Sequence, residues 1–542
     1  VLAIISFAVG AIVGSGPGGA ERALAGRYVR AWSKGDFAQM YSLLDRASQR
    51  RLPRALFAQE LHTTAATATL LSLSAGRVLG PYGNTIDVRT RVKTRIWGTL
   101  SETLVLPFSG SGSDAHVHLT PELLFPGLRG HEQLRRTVTL PARATLLAAD
   151  GTPLAEGPSR SSPIPQVAGQ IVGTLGPIPA ALAGQYAARG YPPNAHVGLD
   201  GLERIFEARL AGTFGGRLVA GHRVLASAAP TRSGAVKTTI SPALESAAIA
   251  ALGGSYAGMA VLNPRTGAVL ALAGIAFSDA QPPGSTMKII TATAALQAGV
   301  AKLSTQYPVQ TAATIEGYSL QNANGEACGG TLLNAFAVSC NSVFAPLGVQ
   351  IGARRLVAMA ERFGFNQPSS IPGAAESTIP SAATIGDALA VGSSAIGQGQ
   401  VQSTPLQMAD VAAAIAMGGR RPVPTLLAHQ HPRFVRVTSG RVAREVQQMM
   451  LAVVQSGTGT AAQIPGVAVA GKTGTAELKN TTGQNNTPGA NAPQNTDAWF
   501  VGYAPAGHAR IVVGTLFPNA GSGGSTAAPP ARDVLAAGLH RS

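Results

Sequence analysis

The spacing of apolar residues changes several times along this chain, and each change constrains the architecture more tightly than composition does. Between residues 21 and 65, Leu24, Tyr28, Val29 and Trp32, then Phe37, Met40, Leu43 and Leu44, then Leu56, Phe57 and Leu61 fall at helical spacing. From Thr85 the period drops to two, with Ile86, Val88, Val92 and Ile96 alternating against Asp87, Arg89, Arg91, Lys93 and Arg95. That alternation predicts a strand with one buried face and one solvated, basic face. Strand-like runs follow at 99–107, 115–120 and 133–140, so helices followed by a curled antiparallel sheet predict a small α+β domain. His116 and His118 share one face of such a run; without a third ligand nearby they read as solvated side chains, not as a metal site.

Residues 141–238 carry few long periodic segments and read as a connecting module. Within it, Asp150-Gly151 is a hairpin-type turn between two apolar runs, and a helix is predicted after Asp200, ending at Gly215-Gly216. From Thr239 onward the largest unit begins. Ser241-Pro242 opens a helix that reaches Leu252, and strands at 258–262 and 268–273 flank the turn 263–267. An Ala-rich helical middle extends past Met417, followed by strands at 467–477, 498–505 and around 510–517. The polar stretch 479–496 reads as a mobile loop. This order predicts an α/β unit, a sheet with helices on both faces closed by its own N-terminal helix.

At 542 residues the chain is too long for one ordinary core. A hydrophobic fraction of 45% and a charged fraction of 13% exclude a disordered polymer. The net charge of +16 admits attraction to an anionic polymer or lipid surface. No basic stripe interleaved with aromatics is present, so no nucleic-acid partner is expected. Residues 1–13 are almost wholly apolar and lead into GSGPGG, which reads as the tail of a membrane anchor or uncleaved signal followed by a linker, residues 1–20. Arg22, Arg27 and Arg30 run against that orientation under the positive-inside tendency.

The chemistry concentrates in QPPGSTMKIITATAAL, residues 281–296. Ser285 and Lys288 stand three apart in a predicted first helical turn, so hydroxyl and amine share a face. A serine needs a neighbouring base to become a nucleophile, and a lysine serves once burial or a second cation lowers its pKa. Lysine occurs only at positions 34, 93, 237, 288, 302, 472 and 479, while arginine is abundant. Arginine cannot deprotonate, so a base position requires the rarer residue. Two further motifs follow in order: Ser339-Cys340-Asn341, and Lys472-Thr473-Gly474-Thr475 on an apolar strand.

The set S-x-x-K, S-x-N, K-T-G is that of the serine β-lactamases and penicillin-binding proteins. The segments GMAVLNPRTGAVLALAG, GQGQVQSTPLQMA and DAWFVGYAP also resemble penicillin-binding transpeptidases. PARATLLAADGTPLAEG and GLDGLERIFEARLAG resemble the pedestal, or dimerisation, module of class B penicillin-binding proteins. LTPELLFPGLRG and the helices before it resemble the cystatin-like N-terminal domain of the methicillin-resistance type. The resemblance implies a cystatin-like domain at 21–140, a pedestal at 141–238 and a transpeptidase domain at 239–542, without cofactor or metal.

It implies a peptidoglycan D,D-transpeptidase, anchored in the cell membrane with its catalytic part extracytoplasmic. Ser285 would attack a D-Ala-D-Ala donor with Lys288 as base, Ser339 as proton relay and Asn341 holding the amine and substrate amide. Lys472 would keep Lys288 deprotonated and draw in the substrate carboxylate, which the Thr473 and Thr475 hydroxyls would bind, and Gly474 would allow close approach of the substrate strand. A neighbouring stem-peptide amine would accept the acyl group, β-lactams would acylate Ser285, and a polymerising glycosyltransferase would be a partner. Cys340, inside the second motif, and Cys328 are the only cysteines; an oxidising setting would join them, and two buried thiols are the alternative. A D,D-carboxypeptidase, a β-lactamase-like hydrolase and a non-catalytic scaffold use or retain the same residues. Of these the β-lactamase is disfavoured, because neither Glu361 nor Glu376 lies in an E-x-x-L-N context.

Overall fold

The computed structural model describes residues 18–478 and 495–540. The predicted anchor at 1–13 and nearly all of the predicted loop at 479–496 lie outside the described residues. The chain divides into two compact units. One takes the chain up to Ala144 with Leu175–Leu199 and Glu207–Gly234; the other takes Thr145–Thr174, Asp200–Phe206 and everything from Ala235.

In the first unit, helices α1 (Gly19–Ser33), α2 (Phe37–Ser42), α3 (Arg46–Arg51) and α4 (Arg54–Thr67) precede strands β1 (Leu70–Tyr82), β2 (Thr85–Thr94), β3 (Thr99–Ser109) and β4 (His116–Val117). The strands form one antiparallel sheet in the order β1-β2-β3-β4. Asp36 and Asp45 cap α2 and α3 by accepting backbone N–H bonds, a contribution of about 1 kcal/mol each. The period-two reading of β2 is realised: Ile86, Val88 and Val92 are buried, while Arg89, Arg91 and Lys93 are exposed. The core beneath joins Leu24, Tyr28, Phe57 and Leu61 of the helices to Val88, Val92 and Leu104 of the sheet. β1 was not expected, because irregular register between Ala75 and Val78 erases its alternation. His118 Nδ1 sits 2.8 Å from Asp45 Oδ2 and His116 faces solvent; no metal-binding group of side chains occurs among the described residues.

The stretch 141–238 contributes to both units. β5 (Leu134–Thr139) pairs with β6 (Gly215–Ala220), which pairs with β7 (Arg223–Ala228), all in the first unit. Glu207 there accepts from Tyr191 Oη, Gly198 N–H and Arg143, satisfying a buried carboxylate three times. In the second unit the Asp150-Gly151 turn joins Leu146–Leu147 to Pro153–Ala155, as expected. The helix predicted after Asp200 is two short pieces, Gly201–Ile205 and Glu207–Leu210, and the division between the units falls between them.

The second unit is built on a five-stranded antiparallel sheet. Its first elements are α5 (Pro242–Leu252), capped by Ser241, then β8 (Gly258–Leu262) and β9 (Val269–Gly274). α6 (Lys288–Ala298), α7 (Leu332–Ala337), α8 (Asn341–Ile351), α9 (Pro405–Ala416) and α10 (Gly440–Ser456) follow, then β10 (Ala470–Glu477), β11 (Thr496–Ala504), β12 (Ile511–Phe517) and α11 (Ala528–Leu539). The sheet order is β9-β8-β12-β11-β10, which places β10 at an edge. α5 and α11 seal one face with Phe500, Ala504 and Val513 of the strands; α9 lies on the other. The expected helical middle is interrupted by short strands at Gln306–Gln310, Ala312–Ile315, Tyr318–Gln321 and Cys328–Thr331, and α11 was not expected. Among the described residues no single helix is long and apolar enough to cross a membrane.

Candidate active site

Pro282 and Pro283 lead the chain into a tight 3₁₀ turn, Gly284–Met287, which runs directly into α6. Ser285 therefore lies in the tight turn and Lys288 is the first residue of the helix proper, still near enough to meet. Two glycines make the turn possible. Gly284 has φ 51°, and a Cβ on it would lie 2.8 Å from Thr475 O. Gly397 has φ 75°, and a Cβ there would lie 2.1 Å from Gly284 O, so its carbonyl instead accepts the Gly284 N–H at 3.0 Å. Gly397 was part of a resemblance in sequence; only packing shows that it supports the Ser285 turn.

Lys288 is wholly buried, and its Nζ lies 2.9 Å from Ser285 Oγ. The same nitrogen is 2.7 Å from Ser339 O, 2.7 Å from Asn341 Oδ1 and 3.2 Å from Ser339 Oγ. The two closest partners can only accept. A neutral amine has two N–H bonds for them and keeps its lone pair for the Ser285 O–H, which is the arrangement a base requires. Burial first, and then the charge of Lys472, hold the Lys288 pKa well below its ordinary value.

Lys472 is also wholly buried; its Nζ donates to Ser339 Oγ at 2.9 Å and to Thr473 O at 3.0 Å. Burial brings its pKa down to about 7. The Ser339 hydroxyl thus bridges the two amines. Its backbone adopts φ 63°, a left-handed conformation that costs a non-glycine residue about 1–2 kcal/mol. Under the amines sit Phe344, whose ring centre is 5.7 Å from Lys288 Nζ, and Phe336, 5.6 Å from Lys472 Nζ. The rings meet edge to face at 5.8 Å and offer π faces to either cation while excluding water. Neither ring was singled out from sequence, where both look like ordinary core residues of a helix.

Asn341 opens α8; its Nδ2 donates to Gln321 O at 2.9 Å, which orients Oδ1 toward Lys288. The neighbouring Asn322 accepts from Ser342 N–H and donates to Gln310 O and Glu326 O, pinning the small strands against the second motif. Cys340 is joined to Cys328 by a disulfide with Cα atoms 5.8 Å apart. Asn322 was also missed; nothing local distinguishes it from a turn asparagine.

On β10 the side chains alternate as a strand demands. Lys472 points to the lysine–serine cluster, and Gly474 faces the same way. A Cβ on Gly474 would lie 2.8 Å from Pro283 O and 2.9 Å from Trp499 Cβ, so this glycine makes room for the nucleophile's turn. Thr473 and Thr475 face away, with Thr473 Oγ1 bonded to Thr458 Oγ1 and Thr475 Oγ1 accepting from Gly523 N–H at 3.3 Å.

A family described as penicillin binding protein transpeptidase domain matches residues 257–536, and one described as penicillin-binding protein dimerisation domain matches 140–224. The chain is 34% identical over 407 residues to the peptidoglycan D,D-transpeptidase PbpA of Mycolicibacterium smegmatis, covering 62% of this chain and 77% of that protein. It is similar to the D,D-transpeptidase domain of a peptidoglycan glycosyltransferase from Eggerthella lenta (TM-score 0.59, 29% identity, 74% of this chain and 98% of that one). It is likewise similar to penicillin-binding protein A of Mycobacterium tuberculosis solved as a penicillin G acyl-enzyme (TM-score 0.58, 28% identity, 73% of this chain and 99% of that one).

Proposed function

The chain belongs to the penicillin-binding protein transpeptidase family, and we infer that it is a peptidoglycan D,D-transpeptidase working through a serine acyl-enzyme that β-lactams trap. One observation carries the assignment of roles: a fully buried lysine amine 2.9 Å from Ser285 Oγ, with its two closest partners able only to accept. Ser285 Oγ attacks the carbonyl of the penultimate D-Ala, its proton passing to Lys288 Nζ. The proton then travels through Ser339 Oγ toward the departing terminal D-Ala nitrogen. N–H groups of Ser285 and Thr475 are assigned to the oxyanion; β10 is an edge strand, and such strands turn alternate N–H groups outward. The charge of Lys472 is assigned to keeping Lys288 deprotonated and attracting the substrate carboxylate, and the Thr473 and Thr475 hydroxyls on the other side of the strand to binding it. The Thr475 oxygen accepts from Gly523 and so keeps its own proton to donate. An amine of a second stem peptide then attacks the acyl carbonyl, and the cross-link forms as Ser285 is released.

The domain assignment is part of the same reading: a membrane anchor and linker at 1–20, a cystatin-like domain at 21–140, a pedestal at 141–238 and the transpeptidase at 239–542. Helices packed on a four-stranded antiparallel sheet support the cystatin-like description. The apolar run 1–13 supports an anchor with the catalytic part outside the cell membrane. A polymerising glycosyltransferase is the partner that would supply glycan strands to cross-link.

The test is covalent labelling by a fluorescent penicillin, followed by intact mass. A stable adduct on the parent and none on Ser285→Ala is expected. An adduct that survives Ser285→Ala would overturn the nucleophile assignment, and rapid hydrolysis of the parent adduct would replace the synthase by a hydrolase.

A further inference from the structure

The geometry points to a binding site for a linear polyanion, a phosphodiester-linked three-carbon polyol, on the open face of the N-terminal sheet. α1 and α4 help to bury one face of this sheet. On the other, Arg89, Arg91, Lys93 and Arg95 are all exposed and follow one another along β2 and its immediate extension. β2 is interior, between β1 and β3, so the cations form a single row down the middle of a hydrogen-bonded surface. Alternate residues of a strand repeat at about 7 Å.

Hydroxyl groups line both sides of the row. Lys93 lies opposite Ser72 and Thr99, and Arg91 lies opposite Ser74 and Ser101. Arg89 lies opposite Thr103 and donates to its hydroxyl at 3.1 Å. Exposed Arg77 adds a further cation at the irregular stretch of β1. Asp87 marks the acidic end of the row. Among the described residues, none of the four cations forms an ion pair with a carboxylate.

This pattern selects among anions. A line of single charges suits a chain better than the two-dimensional array of a lipid surface. No aromatic side chain interrupts the row, which removes the stacking platform that single-stranded nucleic acid uses. A phosphodiester joined through three carbons repeats every six backbone bonds, about 7 Å when extended, given ordinary bond lengths and angles. Each phosphate then meets one cation, with guanidinium forks taking its two free oxygens and the serine and threonine hydroxyls reaching the polyol.

The experiment uses the full chain and end-labelled poly(glycerol phosphate), followed by fluorescence anisotropy across a salt series. R89Q/R91Q/K93Q/R95Q is compared with K34Q/R46Q/R50Q/R54Q, which removes the same charge from exposed positions on the N-terminal helices and the turn after α1. The sheet variant is expected to bind at least tenfold more weakly and to lower the salt slope by roughly 3, since each lost phosphate contact removes about 0.7. The helix variant should bind like the parent. Equal weakening of both variants would reduce the effect to net charge and overturn the site. Equal or tighter binding of poly-L-glutamate by the parent, or stripe-dependent binding to phosphatidylserine vesicles with none to the polymer, would overturn the phosphodiester assignment. Both variants should retain penicillin acylation, so failure here is separable from failure of the catalytic reading.

Discussion

β2 and β10 are both antiparallel strands that carry a lysine, and the two lysines have opposite surroundings. Lys93 sits on an interior strand of its sheet and is exposed; Lys472 sits on an edge strand and is wholly buried. Position within a sheet therefore does not decide exposure. What decides it is the material packed on the faces. One face of β2 is open, whereas α10, the nucleophile turn and the segment Gly523–Ala527 all pack on β10. Lys93 stands in water, whereas the exclusion of water brings Lys472 to a pKa of about 7.

The largest effect that would sharpen this contrast is on acylation. Lys472→Ala should slow penicillin acylation by about 100-fold or more, the scale expected when one fixed electrostatic partner is removed. Lys93→Ala should leave the rate unchanged. Because burial lowers the Lys472 pKa, its charge is present below about pH 7 and disappears above it. The second-order acylation rate of the free enzyme should therefore fall on the alkaline side near pH 7. Lys472→Arg should abolish that limb, since a guanidinium stays charged, whatever it costs in absolute rate. A pH profile unaltered by Lys472→Arg would break the comparison.

A smaller effect is expected at Gly474. An alanine Cβ would press on Pro283 O at 2.8 Å and displace the Ser285 turn. Acylation should fall by roughly 10- to 100-fold, as positional errors near 1 Å do, and overpacking should cost about 1–3 kcal/mol of stability. Rates unchanged in Gly474→Ala would show that the turn is not held by this contact.

The smallest effect concerns stability alone. Glu245 on α5 is buried, its Oε2 accepting the Leu272 N–H at 2.7 Å, and burial raises its pKa from 4.5 to about 7. The folded state then holds a proton that the unfolded chain releases between those values. The resulting stabilisation is complete below about pH 4.5 and is lost as pH rises through about 7, in all roughly 3 kcal/mol. Glu245→Gln keeps the acceptor and should flatten this part of the denaturation profile while acylation is retained. A variant as pH-sensitive as the parent would place the titration elsewhere.

How much could be read beforehand depended on the range of the forces involved. β2, the Ser241-capped α5, the Asp150-Gly151 turn and the motifs S-x-x-K, S-x-N and K-T-G announce themselves through neighbours within a few residues. β1 did not, because its irregular register destroys the period. The continuation of the predicted 201–216 helix did not, because its two pieces belong to different units. The pairing of β5 with β6 lies about eighty positions away in sequence, where no local pattern reaches.

The sequence alone determined which chemical groups were available: one serine and one lysine in a single turn, a second serine with an asparagine, and a second lysine on an apolar strand. Tertiary structure decided what those groups are. The Lys288 amine meets the Ser339 hydroxyl, 51 residues on, and Lys472 reaches the same hydroxyl across 133 residues. Phe336 and Phe344, which flank the Ser339 motif, complete the enclosure around both amines. A pKa is set by the dielectric and charges around an atom in space, and those come together only when the chain has folded.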